Sequence, residues 1–161
     1  MPIREAVRAD LPLIAQFIRD LAEYERLAHA VEFDEAGLER ALFGERPYAE
    51  VLIAEDESGE AVGFALFFHN FSTFLGRPGI YLEDLFVRPE ARGQGHGRAL
   101  LARLAAIAVE RRCGRLEWAV LNWNTPSIEF YEAMGARPHS DWTVYRLTGE
   151  SLEAVGRMAS S

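Results

Sequence analysis

The chain has 161 residues, 49% of them apolar, and a formal net charge of −8 at pH 7. That length suits one domain with a sizeable core, and the composition excludes disordered, collagen-like and coiled-coil classes. The acidic balance argues against a nucleic-acid binder, which needs a basic face for phosphates, and is compatible with a cationic small-molecule partner. A single cysteine, Cys113, excludes an internal disulfide, and His29, His69, His96 and His139 lack metal-ligand spacing, so no metal is expected. Met1–Glu5 lacks the apolar run of a signal peptide and no stretch of about 18 apolar residues follows, so the expectation is a cytoplasmic protein with no membrane contact.

Ile3 to Val7 reads as a first strand, and Asp10 as the N-cap of a helix whose Leu11, Ile14, Ala15, Ile18, Leu21 and Ala22 recur at helical spacing. A second helix is expected over Asp34 to Phe43, ended by Gly44. Val51 to Ala54 and Ala61 to Phe68 form a hairpin about the turn Asp56–Glu60, followed by a loop from Asn70 to Gly79. Ile80 to Val87 is a mostly apolar run, the pattern of a buried central strand. A polar loop, Arg88 to Gly97, leads into a long helix reaching about Arg112. Leu116 to Leu121 is a strand, Thr125-Pro126 starts a helix closed by Gly135, Trp142 to Leu147 is a last strand, and a short helix covers Ser151 to Met158. The order predicts a mixed α/β domain with an antiparallel first half.

The segment Arg92-Gly93-Gln94-Gly95-His96-Gly97-Arg98 sits between that buried strand and the long helix. Glycines allow close backbone approach and positive φ, and free N–H groups at a helix start bind anions with help from the helix dipole. Arg92 and Arg98 add positive charge, so the chemistry suits a pyrophosphate, against the alternative of a plain flexible turn. The P-loop Gly-Lys-Ser/Thr is absent, and the glycine spacing is not that of the dinucleotide fingerprint.

Arg92 to Gly97 resembles the signature Q/R-x-x-G-x-G/A of the GNAT N-acetyltransferases, and the element order is similar to that family along nearly the whole chain. The resemblance implies one GNAT domain over residues 1–161, with a mixed central sheet flanked by helices and acetyl-CoA as co-substrate. It implies that Arg92, Gly93, Gln94, Gly95, His96, Gly97 and Arg98 cradle the CoA pyrophosphate, and that Leu85, Phe86 and Val87 offer backbone groups to the pantetheine arm. The stretch Asn124-Thr125-Pro126-Ser127-Ile128-Glu129-Phe130-Tyr131 matches a further family element. It implies Asn124 and Ser127 on the cofactor side and Tyr131 as the acid for the leaving thiolate. A tyrosine holds its proton at pH 7 and can serve so; by its residue type alone Tyr131 reads first as a half-buried helix aromatic packing its ring on the sheet. Such enzymes often dimerise, so a homodimer is expected; the Phe64, Phe67, Phe68, Phe71 and Phe74 cluster reads as core and loop packing, with part of it a candidate dimer face.

Glu83 and Asp84 interrupt the apolar run. Carboxylates in a central strand are costly unless paired or used, and in a regular strand the two point to opposite faces unless a bulge realigns them. Either could pair with an arginine or cap a helix. A primary amine is mostly protonated at pH 7, and a carboxylate can bind the ammonium and take its proton. Leu21-Ala22-Glu23-Tyr24-Glu25, Tyr81 to Val87 and Trp123 to Tyr131 are similar to the spermidine/spermine-type diamine and thialysine acetyltransferases. That resemblance implies Glu83 as the base, directly or through water, with Tyr24, Glu25 and Asp84 on the amine side. The acceptor is expected to be a small polyamine or amino-acid-like amine; a protein lysine or N-terminus, and a non-catalytic acyl-CoA sensor, are the alternatives.

Overall fold

A computed structural model describes residues 2–160. The chain divides into two compact units, Met1–Leu121 and Asn122–Ser161. The first holds a five-stranded sheet in the order β1 (Ile3–Glu5), β2 (Glu50–Glu55), β3 (Ala61–Ser72), β4 (Arg77–Val87) and β5 (Leu116–Trp118). Three antiparallel pairings are followed by one parallel pairing, β4 with β5. Helices α1 (Leu11–Tyr24), α2 (Glu35–Phe43) and α3 (His96–Glu110) complete the unit.

Strand period and helix period meet in the core. Val51 and Ile53 of β2, Phe64 and Leu66 of β3 and Phe86 of β4 share one cluster with Ile14, Phe17 and Leu21 of α1 and Leu42 of α2. Phe17 stacks flat on Phe64, centroids 5.3 Å apart, and meets Phe86 at 6.2 Å. Alternation turns the buried Leu52, Ala65 and Phe67 to the opposite face, where α3 packs with the buried Leu100, Leu104 and Ile107. Covering on both faces accounts for the near-continuous apolar runs of the inner strands.

Asp10 does not cap α1 with its side chain. Its carboxylate accepts the Val7 N–H at 2.7 Å and both arms of Arg4 at 2.8 and 2.9 Å, and Arg4 Nε reaches Glu55 at 2.9 Å. The charge-assisted fork outcompetes a cap and ties β1, the entry to α1 and the end of β2 together. Asp34 does cap α2, accepting the Gly37 N–H at 2.6 Å.

Three strand expectations are corrected. Residues 70–79 are not a loop: β3 and β4 stay paired from Asn70↔Gly79 to Ser72↔Arg77 and close through a tight turn. Backbone pairing sustains this hairpin without an apolar alternation, and Phe74 at its tip is 97% exposed. The fifth strand stops at Trp118 rather than Leu121. Trp142 to Leu147 forms no strand; Trp142, Val144 and Tyr145 are exposed, and an alternating pattern without a ladder partner is not a strand. The second unit, taken by itself, contains α4 (Thr125–Ala133) and α5 (Gly149–Arg157), with Pro126 at the second helical position. No helix among the described residues is long and apolar enough to cross a membrane.

Helix α3 ends in a double-bonded turn: Arg112 N–H donates to Val109 O and Cys113 N–H to Ala108 O, with Arg112 at φ 59°. Glycine is the usual occupant of that left-handed position, and a side chain there is strained. Arg112→Gly is therefore expected to stabilise the fold by about 0.5–1 kcal/mol, read as a higher denaturant midpoint; an unchanged or lower midpoint contradicts the strain argument.

Candidate functional site

The turn between β4 and α3 has a geometry suited to an anion. After a short 3-10 turn at Pro89–Ala91 the chain passes through Gly93 at φ 76° and Gly95 at φ 94°, both left-handed. Gly95 is the N-cap of α3; no side chain caps that helix, and no acid lies in its first turn. The first N–H groups of α3 and the positive end of its dipole are thus left for a ligand. Gln94 and Arg98 are exposed at this turn, while His96 is buried, with Nδ1 lacking a hydrogen-bond partner among the described residues. The ring lies inside and only its backbone faces the turn. An anionic pyrophosphate fits these groups.

Arg92 is already engaged. Its Nε donates to Val87 O at 2.8 Å, and its guanidinium lies 4.8 Å from the Tyr24 ring centroid and 5.5 Å from that of Phe86. Immediately before the turn, β4 has an open side. β5 pairs with it only from Ile80 to Leu82, and Arg88 N–H points to Val62 O on β3. By alternation the backbone groups of Leu85 and Val87 point away from β3, into the space that β5 has left.

The carboxylates stand where that gap begins. Leu66 pairs with Asp84 and Phe67 with Leu82, so Glu83 is the extra residue of a bulge. The apolar run predicts both acids inside a buried strand; instead Glu83 is exposed and Asp84 half-buried, because the bulge displaces Glu83 and β5 covers nothing beyond Leu82. Burial, then the charges of Glu83 and Glu25, pushes the Asp84 carboxyl up to about 7. Burial and Glu83 also raise Glu25 above the usual carboxylate range. Glu25 is the C-cap of α1, and the next residue, Arg26, turns the chain at φ 61°. The structure therefore brings together Glu25, Glu83 and Asp84, three acids from two elements, and the charges acting on Asp84 are all negative.

Tyr81 joins this group unannounced. Burial, Glu83 and then Glu117 raise its phenol. Its spacing of two from Glu83 was the available signal. In the second unit Asn124 caps α4, its Oδ1 accepting the Ser127 N–H at 3.4 Å. Tyr131 follows Ser127 by one helical turn, its ring 5.4 Å from Phe130, so Asn124, Ser127 and Tyr131 share one face of α4. No cluster of metal-ligating side chains exists among the described residues.

Residues 14–136 match the Acetyltransferase (GNAT) family. A thialysine N-epsilon-acetyltransferase of Bos taurus is 40% identical, covering 95% of each chain. An L-ornithine N5-acetyltransferase of Arabidopsis thaliana is 33% identical over 97% of this chain and 88% of its own. Among solved structures, an integron cassette protein from the mobile metagenome of V. cholerae superposes with a TM-score of 0.80 at 29% identity, covering 97% of both chains.

Asp84 gives a stability test. An aspartate titrating near 3.9 when unfolded and about 7 when folded holds its proton more tightly in the fold. Its contribution is full below about pH 4 and is lost as pH rises through about 7. Asp84→Asn removes that titration, so its denaturant midpoint should gain on the wild type steadily from pH 4 to pH 8. Parallel pH profiles for the two proteins would refute the raised carboxyl.

Proposed function

The chain belongs to the GNAT family and is an acetyltransferase acting on an amine, and on that premise we propose that its acceptor is a small cationic amine, a polyamine or an amino-acid-like molecule with a terminal primary amine. The observation that carries this reading is the gathering of Glu25, Glu83 and Asp84 at the bulge in β4, a few residues before the anion-suited turn. Like charges held together against burial need a counter-cation, and an ammonium supplies one. The thialysine and ornithine named for the two relatives are amines of this class.

GNAT enzymes use acetyl-CoA as co-substrate, which brings an activated acetyl thioester. In our reading the N–H groups at the start of α3, from Gly95 to Arg98, hold its pyrophosphate, and the open edge at Leu85 and the Val87 N–H receives the amide-bearing arm, the Val87 carbonyl being held by Arg92. Asn124 and Ser127 serve the same ligand from α4. Glu25 and Asp84, with Tyr24, hold the acceptor ammonium. Glu83, exposed beside them, takes its proton directly or through a water. The freed nitrogen lone pair forms the C–N bond as the C–S bond breaks, and Tyr131 gives its phenol proton to the departing thiolate. The product is an amide and free CoA; the attacking nitrogen gives up its second proton, which restores Tyr131, and Glu83 releases the first to solvent. The α4 roles rest on the motif match.

Binding an ammonium beside Asp84 favours its charged form, so uptake of the acceptor near pH 7 should expel a proton from the site. Calorimetry in buffers of different ionisation enthalpy reads this directly. With spermidine, ornithine and a neutral-headed amine side by side, the cationic acceptors should turn over faster, and Glu83→Gln should raise their KM and move the rate toward higher pH. Preference for the neutral amine would overturn the acceptor assignment. Tyr131→Phe should cost roughly 10²–10⁴ in turnover with acetyl-CoA affinity retained; an unchanged rate would return Tyr131 to packing.

A further inference from the structure

We propose that Arg92 is a positioning residue for the acceptor side, locking the end of α1 to the phosphate-binding turn. The inference rests on the reading of Tyr24 and Glu25 as acceptor-side groups. The motif alone would spend this arginine on phosphate. The geometry spends it elsewhere: its Nε is committed to Val87 O at 2.8 Å, and its planar head lies on Tyr24 at 4.8 Å and Phe86 at 5.5 Å. One side chain thus joins the last residue of α1 and the last two residues of β4 to the first residue of the anion-binding turn.

Two features make this tie consequential. Tyr24 directly precedes Glu25, whose charge acts on Asp84, so a shift of the Tyr24 ring moves the acidic cluster. The chain leaves α1 through Arg26 at φ 61°, a conformation that a side-chain-bearing residue holds only with outside support. The guanidinium supplies support through its Nε–H bond to Val87 O and a flat stacking face together, and lysine lacks the flat face that lets one head do both. Because Arg92 belongs to the turn itself, occupancy of the turn by the acyl donor steadies Tyr24 and Glu25, and donor and acceptor bind cooperatively.

The test is a double-mutant cycle with Arg92→Lys and Tyr24→Leu, using the acceptor that the wild type turns over best and measuring donor affinity separately by calorimetry. Arg92→Lys should raise the acceptor KM roughly three- to tenfold and leave the acetyl-CoA Kd within about twofold. Tyr24→Leu should do likewise, and the double variant should be no worse than either alone. Tyr24→Phe keeps the ring under the guanidinium, so in that background Arg92→Lys should retain its full penalty. A weakening of the acetyl-CoA Kd by about tenfold with acceptor KM unchanged would make Arg92 a phosphate ligand and overturn the proposal, as would multiplicative penalties in the cycle. Failure of the cycle while the wild type still prefers cationic amines defeats only the Arg92 inference; loss of that preference defeats the reading beneath it.

Discussion

Strand β4 pairs with β3 along nearly its whole length, Arg77 to Val87, yet meets β5 only through Ile80, Tyr81 and Leu82. From that unequal pairing the rest of the site follows. The stretch Glu83–Val87 keeps one ladder and leaves its other edge open, and the bulge at Glu83 falls where the second ladder ends. The bulge resets the alternation of the strand, so Leu85 and Val87 present their backbone groups to the gap, as Ile80, whose N–H reaches Arg115 O, does to the β5 side before it. The anion-suited turn then begins where the open edge finishes. Strand β4 thus sets the acids, an open backbone edge and the glycine turn in line.

The electrostatics of the acidic cluster run against stability. Asp84 is held partly out of water among two further negative charges, and ion pairing is invested elsewhere, in Arg4 with Asp10 and Glu55 and in Arg111 with Glu50. The Arg4 hydrogen bonds hold Asp10 below the usual carboxylate range, the opposite of what happens at Asp84. Paired charges secure the frame, while the unfavourable ones are concentrated at Glu25, Glu83 and Asp84. Sites that must bind or exchange protons are commonly built at such cost.

How much of this was legible in the sequence depended on whether the signal was local. Helices α1, α2 and α3 announce themselves by the spacing of Leu11, Ile14 and Leu21, by the cap at Asp34, and by the glycines before His96, because each is decided by near neighbours. The turn from Arg92 to Arg98 was readable for the same reason. The length of the β3–β4 hairpin, the early end of β5 and the fate of Trp142 to Leu147 were not, since a strand exists only where a distant partner pairs with it. The bulge could be entertained but not placed: nothing in Leu82-Glu83-Asp84 says which residue lacks a partner. The stacking of Arg92 on Tyr24 joins residues 68 positions apart, and the motif pointed that side chain to phosphate; only the fold shows it turned back on a ring.

The open side of β4 has one more consequence. Unpaired N–H and C=O groups along an extended strand are a template for a strand from another chain. The sheet's outer edges are kept short, three residues each in β1 and β5, while Glu83–Val87 of β4, like Phe68–Ser72 of β3, runs without a second ladder. Glu83 and Asp84 stand at its mouth, and an incoming strand would have to be laid against both. Acids at that position therefore also act as gatekeepers against β-addition, so neutralising Glu83 and Asp84 favours self-association.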